Sequence, residues 1–158
     1  MKARNAMNRT RRSLTAIIAG LPLLTAGIAF AAGRTVKLQI ASDGDNLAFK
    51  PDHLTCPTGA TVILTLRHGG KIIDDPHNWV LLKPGTMNAF LADADKIEDD
   101  KTVVPVQDKD LVLAATPMCQ RHKTVTITFV APAPGDYPFV CSVPGHGETM
   151  HGTLTVTS

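Results

Sequence analysis

The chain has 158 residues, 44% hydrophobic and 19% charged, with a formal net charge of +2. Length and hydrophobic content argue for one domain with a real core. Scattered Lys and Arg, with a single Trp and a single Tyr, leave neither a basic patch nor a stacking platform for nucleic acid.

At the N-terminus, Lys2, Arg4, Arg9, Arg11 and Arg12 precede an apolar stretch from Ala16 to Ala29, and Ala29-Phe30-Ala31 has the form of a cleavage site. This pattern predicts an export signal over 1–31 and a mature domain over 32–158. Gly20, Pro22 and Gly27 interrupt the apolar stretch, and no later segment approaches the ~20 apolar residues of a membrane span. No membrane insertion is therefore expected after signal removal. Thr10-Arg11-Arg12-Ser13-Leu14 fits a twin-arginine signal, and a general secretory signal fits equally. Both routes predict a periplasmic protein. Cleavage removes five of sixteen basic residues and no acid, so eleven bases face fourteen acids and the mature charge is about −3.

Period-two alternation dominates the mature domain. Val36, Leu38 and Ile40 alternate with Lys37 and Gln39, and a second strand is expected near Leu47 to Lys50. Val62, Leu64 and Leu66 mark a third, and His77 to Leu82 a fourth. Phe90, Ala94 and Ile97 then recur at i, i+4 and i+7, predicting a short amphipathic helix between Thr86 and Lys101 that covers a sheet edge and runs into Asp99 and Asp100. Strands follow at Leu111 to Ala115, at Val125, Ile127 and Phe129 with threonines between, at Tyr137 to Cys141, and at Leu154 to Thr157. Turn signals at Thr58-Gly59, Gly69-Gly70, Pro84-Gly85 and Pro134-Gly135 punctuate them. Seven to eight short strands predict an all-β, two-sheet sandwich.

Cys141, His146 and Met150 fall within ten residues between the last two strands. A thiolate, an imidazole and a weak thioether are three of the four ligands of type 1 copper. His77, at the head of an apolar run, completes the set. The spacing from Cys141 to His146 and Met150 would arise by chance about once in 800 for a given Cys, although Met150 alone reads as core filler and His77 alone as a satisfied strand-end histidine. Among the other histidines, His151 neighbours Met150 in a strand and is expected to face the opposite way, and His53, His68 and His122 lack a ligand-like partner in sequence.

With His77-Asn78-Trp79-Val80-Leu81, Cys141-x4-His146-x3-Met150 and the closing Gly152-Thr153-Leu154, the chain resembles azurin and the auracyanins, small blue copper proteins of the cupredoxin class, across essentially the whole mature chain. Plastocyanin, pseudoazurin and amicyanin have only two residues between Cys and His. The resemblance implies a Greek-key sandwich with a helical flap and one copper ion cycling between Cu(I) and Cu(II). It also implies His77 as the buried imidazole ligand, Cys141 as the thiolate ligand and main electronic path, His146 as the imidazole at the surface, and Met150 as the axial ligand. Asn78 then ties the two ligand segments together, and His68 sits where azurin carries a non-ligand histidine. Pro76 departs from the family, whose residue before the first ligand His is Gly. Azurins carry a disulfide, but only Cys56 matches a member of it; Cys56 and Cys119 precede antiparallel strands at opposite ends and are expected to be free.

The resulting expectation is a soluble, monomeric periplasmic carrier that passes one electron at a time and is not an enzyme, since four protein ligands leave no open position for substrate. Its partners would be a c-type cytochrome, a reductase or a terminal oxidase, meeting His146 through an apolar, uncharged patch built from Val143 and Pro144, with Met87 and Met118 beside them. The alternative is an exported copper-storage or delivery protein using the same ligands.

Overall fold

A computed structural model of the chain describes residues 33–72, 74–98 and 102–158. The predicted export signal lies outside the described residues, as do Asp99 and Asp100. Two sheets form the domain. One has four strands in the order β2-β1-β4-β7: β1 (Thr35–Ser42), β2 (Phe49–Lys50), β4 (Thr61–Arg67) and β7 (Thr124–Val130). The other has five in the order β3-β9-β8-β5-β6: β3 (His53–Pro57), β5 (Val80–Leu82), β6 (Val112–Ala115), β8 (Gly135–Val140) and β9 (His151–Thr157). β1 and β4 run parallel, as do β3 and β9, and the remaining neighbours are antiparallel.

Period-two patterning becomes packing directly. Val62, Leu64 and Leu66 of β4 are buried, while Thr61, Ile63 and Thr65 alternate with them on the other face. These side chains meet Trp79, Leu81, Phe139 and Leu154 of the opposite sheet in a single core. Trp79 lies between Phe129 and Phe139, with ring centroids 5.8 and 5.5 Å away, and is core as its apolar context suggests.

The nine strands among the described residues exceed the seven to eight expected, the addition being β3. Pro51 and Pro57 bracket that run and speak against a strand in sequence, but β3 is the edge of its sheet, where proline is tolerated. The strand expected from His77 is shorter: His77 forms an isolated bridge to Cys119 and regular pairing begins at Val80.

The helix, α1 (Met87–Ala94), is also shorter than its periodicity suggested, and Ile97 packs from beyond its end. It covers the outer face of the five-stranded sheet rather than an edge. Phe90 and Ala94 join Val80 and Leu82 of β5 and Val140 of β8 in a second buried cluster. This explains the unbroken apolar run of β5, buried on both faces as strands sandwiched between layers are. A 3-10 helix, Val106–Leu111, leads into β6.

Candidate metal centre

All four candidate ligands gather at one end of the sandwich. Cys141 directly follows β8 and Met150 directly precedes β9, and the two are joined by a 2.9 Å hydrogen bond from the Cys141 N–H to the Met150 carbonyl. Between them the chain turns tightly: the N–H groups of His146 and Met150 donate to the carbonyls of Val143 and His146 at 3.0 and 2.8 Å. Two glycines permit this. Gly145 has a φ of 76°, left-handed backbone suited to glycine. A Cβ at Gly147 would collide with the Leu91 side chain and crowd the Cys141 carbonyl. The second glycine therefore admits the helix rather than making room for the imidazole.

His77 reaches the same point from the head of β5, its backbone exchanging two hydrogen bonds with Cys119 (3.1 and 2.7 Å). One ring nitrogen each of His77 and His146 and the Cys141 sulfur all lie within 4.8 Å of one another, with His146 Nδ1 3.8 Å from Cys141 Sγ. Cys141 and Met150 are fully buried and His77 nearly so. His77 Nδ1 is buried with no hydrogen-bond partner, an orphaned polar atom of the kind folded proteins rarely leave. A soft sulfur donor beside two imidazoles, one with an unsatisfied buried nitrogen, fits copper.

Burial pushes the Cys141 thiol up to about 11, with the backbone N–H groups of Asn78 and Val143 acting in the opposite direction. Burial, and then the neighbouring His68 and His146, lower His77 to about 4. Burial also lowers His146, against the pull of Asp75. His77 is thus kept neutral as a ligand must be, whereas the thiol has to release its proton when it binds a metal.

Surrounding residues lock this arrangement. Asn78 accepts a 2.8 Å bond from the Ser142 N–H and donates one of 2.7 Å to its hydroxyl, which in turn donates to the Val103 carbonyl. Asn78 therefore ties the two segments as expected. His68 stacks on His77 with ring centroids 4.6 Å apart. Its Nδ1 accepts from the Gly70 N–H at 3.1 Å and its Nε2 donates to the Asp75 carbonyl at 2.9 Å, so both nitrogens are engaged. His53, His122 and His151 are exposed, His151 facing away from Met150 as alternation requires. Cys56, Cys119 and Cys141 are all free.

Three features were not read from sequence. Asp95, just past α1, accepts a 2.9 Å hydrogen bond from the Gly145 N–H. Asp75 Oδ2 lies 4.0 Å from His146 Nε2. His146 itself is only 7% exposed, less open than a surface ligand was expected to be. The groove beside it, of about 250 Å³, is lined by Val143, Pro144 and Met118 as expected, but also by Asp75 and Glu98. The patch is not uncharged, and Met87, the first residue of α1, packs partly buried against the second cluster instead.

Residues 35–157 match the family model for copper-binding proteins of the plastocyanin/azurin family. The chain belongs to this family. It is 35% identical to auracyanin-A of Chloroflexus aurantiacus over 122 residues, 77% of this chain and 74% of that one. To azurin of Bordetella pertussis it is 38% identical over 96 residues, 58% of this chain and 63% of the azurin. The structure of dithionite-reduced auracyanin from Roseiflexus castenholzii superposes with a TM-score of 0.68 at 36% identity, covering 80% of this chain and all of the other. Membership of this family of blue copper proteins makes copper the cofactor and electron transfer the general activity, and the His77-Cys141-His146 cluster, the one such cluster among the described residues, fits one ion per chain.

Proposed function

We propose that the protein is a soluble periplasmic carrier that passes single electrons through a mononuclear type 1 copper site held by His77, Cys141, His146 and Met150. Copper bound there supplies a one-electron Cu(II)/Cu(I) couple. Cys141 contributes the thiolate and the principal electronic path into the β8 strand end. His77 is the inner imidazole, held by the Cys119 bridge and the His68 stack. His146 is the outer imidazole, its Nε2 edge turned toward the exposed side chain of Asp75, where a redox partner such as a c-type cytochrome, a reductase or a terminal oxidase makes contact. Met150 is the weak axial donor.

The observation that carries this reading is the convergence of the two imidazoles and the thiol in a buried cluster. Enclosure favours an electron carrier over a delivery protein, which would present its donors openly for exchange. The basic residues, apolar stretch and Ala29-Phe30-Ala31 of the N-terminus support export and a mature domain over 32–158, and a set of four protein ligands, leaving no open position for substrate, supports a non-enzymatic carrier. The test is to load the purified domain with Cu(II) and cycle it with ascorbate and an oxidant. An intense blue form that bleaches and returns with the metal retained is expected; a colourless protein that surrenders Cu(I) to a competing chelator would favour delivery.

A further inference from the structure

We infer that the face beside His146 is built to receive a redox protein whose own docking face is cationic, with lysine or arginine side chains around an apolar centre. This rests on the proposed electron-carrier role of the site. Among the described residues lining the groove there, Pro76, Met118, Val143 and Pro144 give an apolar floor, Asp75 and Glu98 are acidic, and none is basic. Asp75 stands against the outer imidazole, with its side chain 64% exposed, and its one ion-pair neighbour among the described residues is His146, which is neutral when it ligates. Neighbouring acids are spoken for. Asp74 is paired with Arg121 at 3.0 Å, and Asp95 accepts from the Gly145 N–H. The groove beside the outer imidazole thus carries two acidic groups and, among the described residues lining it, no base to offset them.

An apolar floor permits close approach and quick release, while like charges at the rim steer a partner of opposite sign and repel one of the same sign. Charge placed at such a rim acts mainly on the association rate and is weakened by salt.

The experiment measures electron transfer from the reduced, copper-loaded protein to a lysine-rich c-type cytochrome and to the same cytochrome after lysine acetylation, at low and high ionic strength. The unmodified cytochrome is expected to react about tenfold faster at low salt, with the advantage shrinking as salt is added. Asp75→Asn with Glu98→Gln should remove most of that preference. Glu98→Gln alone, away from the ligand segments, should remove part of it with the visible spectrum unchanged. Asp136→Asn, on β8 at the strand end away from Cys141, makes the same change in net charge as either single substitution and should leave the preference intact. Equal rates with both cytochromes, or an equal loss in Asp136→Asn, would overturn the inference. Failure to reduce either cytochrome would overturn the electron-carrier reading itself.

Discussion

The carboxylate of Asp95 holds the backbone N–H of Gly145 at 2.9 Å across 50 residues of sequence. The helix that covers the outer sheet face is thereby fastened to the loop carrying His146, and Leu91 fills the space that Gly147 leaves open. The flap thus helps to set the outer imidazole as well as burying Val80, Leu82 and Val140.

Asp95→Ala should therefore cost about 1 kcal/mol of stability and speed copper loss to a chelator, with a small shift in the visible band. Asp95→Asn keeps an accepting oxygen and should restore both. Chelator-competition kinetics for the two variants decide it. Identical rates in Asp95→Ala and the unsubstituted protein would show that the loop holds its shape alone.

Asn78 makes both of its side-chain hydrogen bonds to Ser142, and both residues are fully buried. Asn78→Ala strands the buried Ser142 N–H and leaves the Ser142 hydroxyl only its bond to the Val103 carbonyl, and should lower stability by about 2 kcal/mol while loosening His77 against Cys141. Urea denaturation of the copper-free protein measures the first effect, and copper retention in a chelator measures the second. Unchanged values for both would remove Asn78 from the site's support.

Much of this architecture is visible in the sequence because alternation is unambiguous wherever one face is wet, as in β4 and β7. It fails where that condition fails. β5 is covered on both faces, so its short apolar run says little about where pairing begins, and β3 is masked by the prolines an edge strand tolerates. At the site, Cys141, His146 and Met150 are legible because one loop carries them. Asp95 and Leu91 reach that loop only because α1 lies on the outer face of β5 and β8, a placement the amphipathic pattern of the helix does not encode. Asp75 meets His146 only because the chain segments after β4 and β8 end at the same pole.

In the copper-free protein, acidification should act through His77. Its unfolded value is the ordinary 6.5 and its folded value about 4, so between these the unfolded chain binds the extra proton. Its contribution to stability is complete above pH 6.5 and is lost as pH falls through about 4. Comparing urea midpoints for the unsubstituted protein and His77→Gln across this window isolates the effect. The unsubstituted protein should lose stability relative to the variant as pH falls from 6.5 to about 4. A constant offset would contradict a neutral, buried His77.

Met150→Leu should preserve the fold and the blue colour and raise the reduction potential, because losing a weak sulfur donor disfavours Cu(II) more than Cu(I). Voltammetry of the loaded variant checks this. Loss of all copper binding, or an unchanged potential, would contradict an axial role.

The central claim, that the buried Cys141 thiolate is the ligand defining the site, is tested most directly by the visible spectrum of Cys141→Ser titrated with Cu(II) beside the unsubstituted protein. The thiolate-to-copper charge transfer should give the unsubstituted domain an intense blue band saturating at one equivalent of metal. The variant should remain folded by circular dichroism and show no such band. A blue Cys141→Ser protein would contradict the account.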